Sequence, residues 1–176
     1  MSKLDEQKTD DQVVGGGVGQ DQIDTLTKPV KGHRVLRYRT PKPKGPRAIT
    51  PLCRTDLLYV AVQVVKKGSE TTLHYHTELD GVWMVLSGRG RFHGNGEIYA
   101  DLDEREAILL PRGVPYRFEC LSDEPLVLLQ MEAITKGARD RIVFLEEKKK
   151  SSVKFEIFSL DGEILNERPG SVHGPQ

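Results

Sequence analysis

Residues 68–76 read Gly-Ser-Glu-Thr-Thr-Leu-His-Tyr-His and lie among short apolar runs. Successive residues of a strand point to opposite faces of a sheet, so His74 and His76 share one face and Leu73 and Tyr75 the other. Two neutral imidazoles about 6–7 Å apart at the backbone can converge on one metal ion. The alternative is a pair of polar side chains on a solvated strand face.

On both sides of this stretch, residues 50–132 have the pattern of short strands separated by turn signals, without a helical period. The dipeptide Asn95-Gly96 between two apolar runs is a strong hairpin signal. Short strands at such regular spacing predict an all-β antiparallel sandwich or barrel. The predicted strands are 56–65, 72–76, 82–86, 89–93, 97–101, 107–110, 116–120 and 126–132.

The two ends of the chain have different patterns. Residues 33–40 alternate as a further strand would, and the proline-rich residues 41–46 predict an extended loop. After residue 135 the pattern predicts a partial strand at 141–145 and a small hairpin over 153–165. We therefore expect a flexible leader over 1–30, a barrel over 31–135, and a C-terminal extension over 136–176 with a frayed end.

The overall composition excludes several classes of protein. The 176 residues carry 26 basic and 26 acidic side chains, which is no basic excess for nucleic acid or a membrane surface. No apolar run approaches the ~18 residues of a membrane span, and the N-terminus is too polar for a secretory signal. Two cysteines are too few for a disulfide framework. These features predict a cytoplasmic protein.

A second motif lies downstream of the histidines, at Pro111-Arg112-Gly113-Val114-Pro115. With it, residues 55–132 resemble the cupin superfamily. Gly68, His74, His76 and Gly88 are in register with that family's first motif, and residues 111–115 match the central turn of its second. The resemblance implies a double-stranded β-helix, an RmlC-like jelly-roll barrel with a pocket, commonly a homodimer.

The departures from the family pattern concern its metal ligands. The motif's glutamate falls at Gly81, which has no ligand atom, and the second motif's histidine falls at Tyr116. Only two of the family's four ligands, His74 and His76, are in place. The sequence therefore excludes the family's standard metal site.

Three completions of the site remain open. In the first, His74 and His76 hold a divalent ion (Fe, Mn, Ni or Zn), and Asp80, Tyr116 or water fills the other positions. In the second, a glutamine joins the site. In the third there is no metal, and histidine and Tyr116 form an acid/base pair, as in the sugar-nucleotide epimerases that this region also resembles.

The remaining candidates line the same predicted pocket. Gln63 and Gln130 interrupt apolar strands, and they must either bind a ligand or bond to solvent or backbone, the second being our prediction. Trp83 shares the phase of Gly81, so it is expected to contact a substrate there. The candidate catalytic residues are His74 and Tyr116. The basic stretch over 34–47 is interpreted as a solvated strand edge and loop rather than a phosphate site.

The function expected from these features is that of a cupin whose pocket binds a divalent metal and acts on a small polar molecule. Sugars and sugar nucleotides are the candidate ligands. Isomerase, epimerase, lyase or oxygenase chemistry would suit such a pocket. The alternative is a non-catalytic module that binds a sugar or small acid. Whether the protein is an enzyme is left open, because fold resemblance does not transfer function.

Overall fold

The computed structural model describes residues 33–147 and 154–169, and within these ranges the chain forms strands, turns and loops without a helix. No helix in the described ranges is therefore available to cross a membrane. The strands are β1 Arg47–Arg54, β2 Leu58–Val65, β3 His74–His76, β4 Leu79–Ser87, β5 Gly90–His93, β6 Ile98–Leu102, β7 Ala107–Leu110, β8 Arg117–Cys120, β9 Leu126–Ile134, β10 Ile142–Phe144, β11 Lys154–Phe158 and β12 Ile164–Pro169.

These strands form two facing layers. One layer is a seven-stranded sheet in the order β12-β11-β1-β2-β9-β4-β7. The other combines the pair β10-β3 with the sheet β6-β5-β8, because a bridge between His74 and Tyr116 joins them. Trp83 of the first layer packs against Phe92 and Phe118 of the second, with ring centroids 6.5 and 5.0 Å away. The predicted all-β barrel is confirmed.

The alternation of side chains along the strands follows the sequence pattern. In β4, Leu79, Gly81, Trp83 and Val85 are buried while the residues between them are partly exposed. Each strand predicted from residue 56 to residue 132 is present, with its ends within three residues of the prediction. Alternation is a local property, which is why it could be recognised without tertiary information.

The strand predicted at residues 33–40 is wrong, and β1 takes its place in the sheet. Residues 33–40 run as an irregular segment whose Arg39 N–H donates to the Leu160 carbonyl (2.9 Å). β1 escaped prediction because it contains Pro51, which has no N–H to donate. Pro51 lies at an irregularity in the pairing with β2, a position where a strand tolerates proline.

The segment after residue 135 contributes to both layers. β10 pairs with β3, where Phe144 lies opposite His74, and β11 runs parallel to β1. β11 and β12 form the predicted hairpin, with Gly162 at a φ of 84° in its turn, a left-handed conformation that favours glycine. The predicted leader at 1–30 and the frayed end beyond 169 lie outside the described residues.

Candidate functional site

The two histidines of β3 face the barrel interior, as their spacing predicted. His74 is 0% and His76 5% exposed, and their ring centroids lie 5.5 Å apart in an edge-on arrangement. Tyr75 between them is partly exposed on the other face. The pair is therefore a buried feature, and the alternative of a solvated strand face is wrong.

The proton on the His74 ring is located by its backbone partner. His74 Nδ1 lies 2.6 Å from the Thr72 carbonyl oxygen, which only accepts, so Nδ1 donates and Nε2 carries the lone pair. Burial, helped by the neighbouring His76, lowers the pKa of His74 to about 3. His74 is accordingly a neutral imidazole at physiological pH.

The His76 ring is held by a carboxylate from the C-terminal segment. His76 Nδ1 donates to Asp140 Oδ2 (2.6 Å), and Asp140 Oδ1 accepts the Glu78 backbone N–H (2.9 Å). Burial raises the pKa of Asp140, but its hydrogen bonds, chiefly the one from His76, outweigh this, so its pKa is lowered overall. Asp140 therefore stays ionised and fixes the lone pair of His76 on Nε2.

Tyr116 lies beside both histidines. Its side chain is buried, with its ring centroid 4.5 Å from that of His74 and 6.3 Å from that of His76. Burial, reinforced by the negative charges of Glu132 and Asp140, raises the pKa of Tyr116 well above its usual value. The phenol therefore keeps its proton and can act as a hydrogen-bond donor or acid.

Trp83 lines the same interior, in the predicted phase. It is fully buried, and its ring centroid lies 5.8 Å from that of Tyr116. A Cβ added at Gly81 would lie 3.3 Å from Trp83 Nε1. The indole N–H thus lies close to Gly81, the position at which the family motif has its glutamate.

The two glutamines belong to a chain of buried polar side chains rather than to solvent or backbone, so that part of the sequence interpretation is wrong. Arg47 Nη2 donates to Gln63 Oε1 (2.9 Å), and Gln63 Nε2 donates to Gln130 Oε1 (2.7 Å). Gln130 Nε2 then donates to Glu132 Oε1. Arg47, placed by the sequence in a solvated basic stretch, is 2% exposed. The chain thus joins a cation to a carboxylate through two amides.

Sequence reasoning did not single out Glu132, although Glu132 shares its strand phase with Gln130. In the pairing of β4 with β9, Glu132 lies directly opposite Gly81. Burial raises the pKa of Glu132, while the charge of His76 acts in the opposite direction. β9 thus brings the Glu132 carboxylate next to Gly81, the position at which the family's glutamate is missing.

Asp80 is not brought to this site. It lies on the outer face, where its carboxylate receives two hydrogen bonds from the Arg112 guanidinium (2.6 and 3.0 Å). These bonds, together with one from the Arg112 backbone, lower the pKa of Asp80 to about 2. Asp80 alternates with the inward residues Leu79 and Gly81, so the strand phase keeps its carboxylate away from His74 and His76.

The residues of the interior do not fit the family's four-ligand metal site. His74 and His76 present suitable imidazoles, but Gly81 has no ligand atom and the Tyr116 phenol stays protonated. Among the described residues, no three His, Cys, Asp or Glu side chains are grouped so that they could hold an ion. What the interior does contain is a histidine–aspartate pair, a protonated phenol and a buried guanidinium.

Comparison with known proteins agrees with the barrel. Residues 61–132 match the family model described as the cupin domain. This part of the chain is a cupin domain, and the predicted superfamily is confirmed. No curated protein matches the chain.

Solved structures similar to the chain include three bacterial proteins. KdgF from Halomonas sp. is 16% identical, over 57% of this chain and 87% of that one, with a TM-score of 0.48. An RmlC-like cupin from Shewanella frigidimarina is 17% identical, over 57% and 86%, with a TM-score of 0.47. A conserved double-stranded β-helix protein from Klebsiella pneumoniae is 20% identical, over 69% and 93%, with a TM-score of 0.48.

Proposed function

We propose that this cupin is an enzyme that moves a proton at a carbon next to a carbonyl group, as isomerases and epimerases do. His76 would be the general base and Tyr116 the general acid. The observation that carries the proposal is the 2.6 Å hydrogen bond between His76 Nδ1 and Asp140, next to a buried, protonated phenol.

The arrangement around His76 supports its role as the general base. Because His76 Nδ1 keeps its proton and donates a hydrogen bond to Asp140, Nε2 is the nitrogen that accepts a proton from substrate. When Nε2 takes up that proton, the ring becomes an imidazolium, and the ionised carboxylate of Asp140 stabilises its charge. The base is thereby oriented and strengthened by one partner.

The acid follows from the position of Tyr116. Its ring is stacked with that of His76 at an interplanar angle of 24°. A substrate carbonyl near the phenol would accept a hydrogen bond as negative charge develops on its oxygen. His76 would take the proton from the carbon, and Tyr116 would donate a hydrogen bond or its proton to the carbonyl oxygen, which completes an enolisation.

The proposal is tested by exchange of substrate hydrogen with solvent. The protein is incubated in D2O with 2-oxo acids, hydroxyacetone and keto-sugar nucleotides, and deuterium incorporation is followed by NMR. We expect incorporation into at least one compound, with loss in His76→Asn and Tyr116→Phe. His93→Asn is the matched control, because His93 also bonds a carboxylate, Glu119 (2.8 Å), but alternates with the inward Phe92.

Absence of exchange with every compound, or exchange that persists in His76→Asn, contradicts the proposal. Saturable binding without exchange would instead indicate a non-catalytic binding module.

A second candidate function is a divalent metal site on His74 and His76. It is favoured by one observation: both rings carry their proton on Nδ1, which leaves the lone pairs on Nε2. The test is metal content by mass spectrometry after purification without chelator, for the wild type and for the double variant His74→Ala, His76→Ala. About one metal per chain, lost in the double variant, would support a metal-binding cupin.

A further inference from the structure

Arg47 is a buried cation that the proton-transfer proposal does not use. It begins β1, is 2% exposed, and lies opposite Val65 of β2. Its Cζ lies 5.9 Å from the ring centroid of Phe118, which in turn packs against Trp83. The guanidinium therefore lies in the interior that holds the candidate site.

Within the described part of the chain, the charge of Arg47 has no direct counter-charge. Its one hydrogen bond is to the neutral Gln63 amide, and neither Nε nor Nη1 has a hydrogen-bond partner among the described residues. Within the same residues no carboxylate forms an ion pair with it; Glu132 is reached only through two amides. A buried cation without an ion-pair partner is strongly unfavourable, so an anionic partner other than the described residues is expected.

A second buried donor in the same interior has no acceptor. In the described part of the chain, Trp83 Nε1 makes no hydrogen bond although the residue is fully buried. Trp83 and Arg47 both contact the Phe118 ring. Unsatisfied donors on two elements, β1 and β4, indicate an acceptor-rich ligand rather than a local packing defect.

The charge of the interior limits what that ligand can be. Arg47 is the one lysine or arginine among the buried residues that the structure describes. Burial lowers its pKa to about 10, so it still carries its charge at neutral pH. A single planar guanidinium matches one carboxylate in charge and geometry, whereas a phosphate dianion would leave excess negative charge in an interior that also holds Glu132.

We propose that Arg47 binds the carboxylate of a small monoanionic ligand inside the barrel, with the Trp83 indole N–H as a further donor. Resting on the proposed proton transfer, this identifies the substrate class as small carboxylic acids with a neighbouring carbonyl, that is, 2-oxo acids. Arg47 is the binding and orienting residue, while His76 and Tyr116 carry the chemistry.

The test uses Trp83, the one tryptophan of the sequence, as a fluorescence probe of the interior. The full-length protein is titrated with pyruvate, acetate, inorganic phosphate and chloride. We expect saturable binding of pyruvate and acetate at millimolar or lower concentration, and weaker binding of phosphate and chloride. Arg47→Met should weaken pyruvate binding at least about tenfold, because a hydrogen-bonded ion pair is lost.

The control is Arg91→Met, which removes an arginine that is paired with Asp101 on the outer face (2.6 and 2.7 Å). It should leave pyruvate binding unchanged. Arg47→Met should fold, since replacing an unpaired buried charge by an apolar side chain of similar length is tolerated; circular dichroism checks this. If it does not fold, Arg47→Lys keeps the charge without the planar fork and should bind pyruvate more weakly than wild type.

Several outcomes would overturn the inference. They are no binding of pyruvate or acetate by the wild type at millimolar concentration, equal binding by folded Arg47 variants, or tighter binding of phosphate or chloride. The two proposals fail separately. Deuterium incorporation into neutral hydroxyacetone without pyruvate binding refutes the anion site alone, and pyruvate binding without any exchange refutes the proton transfer alone.

Discussion

His76 owes its proposed chemistry to a residue 64 positions further along the chain. The carboxylate of Asp140 accepts a hydrogen bond from His76 Nδ1, and its second oxygen accepts one from the Glu78 backbone N–H. An imidazole without such a partner exchanges between tautomers, whereas this one presents Nε2. Asp140 acts through His76 and is thus a positioning residue.

We predict that Asp140→Asn abolishes most of the exchange activity. The amide oxygen would stay on the Glu78 N–H, so the amide NH2 would face His76 Nδ1 and move the ring proton to Nε2. The deuterium incorporation rate should fall on the order of 10²–10⁴-fold, the usual contribution of general base catalysis. Nitrogen-15 NMR of the imidazole should show the changed tautomer, and an unchanged rate and tautomer would contradict the role.

We also predict that His74 makes the protein less stable in acid. Its pKa is about 3 in the folded protein against an ordinary 6.5, so between these pH values the unfolded chain binds more protons than the folded one. The free energy of unfolding therefore rises with pH across this window and falls on acidification, by up to about 1.4 kcal/mol per pH unit.

Chelator-treated wild type and His74→Asn, compared by urea unfolding from pH 4 to 7, test this prediction. The variant should lose less stability on acidification. Parallel pH profiles would contradict it.

β1 and β11 illustrate how a strand outside the predicted barrel supports the interior. Glu156 of β11 accepts hydrogen bonds from the backbone N–H groups of Lys44 (3.0 Å) and Gly45 (2.6 Å), just before Arg47. Ile157 of the same strand is fully buried against Ile49 and Ala61. β11 therefore stabilises both the loop that leads into β1 and the strand itself.

We predict that Ile157→Ala destabilises the protein by about 2–5 kcal/mol, the usual cost of a cavity at a fully buried isoleucine. Ile164→Ala in β12 is the matched control, because Ile164 is 42% exposed, and it should change stability far less. Denaturant unfolding measures both. Equal losses would mean that β11 is not part of the cooperative core.

The C-terminal segment contributes strands to both layers of the molecule. β10 pairs with β3, and β11 pairs with both β1 and β12, so one layer gains one strand and the other gains two from residues after 135. Asp140 lies in the same segment. The barrel and the candidate site thus depend on chain beyond the match to the cupin family, which ends at residue 132. The expected homodimer stays a prediction, for which light scattering is the measurement.

We predict that shortened chains lose stability in a fixed order. A chain ending at residue 147 keeps β10 and Asp140 but loses β11 and β12, while one ending at 135 loses all of these. Thermal unfolding followed by Trp83 fluorescence should give the highest melting temperature for the full-length chain. The chain ending at 147 should melt at a lower temperature, and the chain ending at 135 at the lowest. A chain ending at 135 that is as stable as full length would contradict the dependence on the C-terminal segment.

Local sequence pattern was sufficient to predict most of the strands and the inward face of each. Alternation and turn residues located the strands from 56 to 132, and the inward faces of His74, His76, Trp83 and Tyr116 followed from phase. Local pattern failed at β1, because Pro51 contradicts strand propensity and the pairing with β2 and β11 overrides it.

The side chains of each strand that point inward could be identified from local sequence, since their direction depends on a two-residue period within one short segment. The tertiary structure alone decided which inward side chains meet. Asp140 reaches His76 because β10 pairs with β3, and Glu132 lies opposite Gly81 because β9 pairs with β4. Arg47 contacts Phe118 because the two layers face each other. Such contacts depend on strand register between distant segments, which no local pattern encodes.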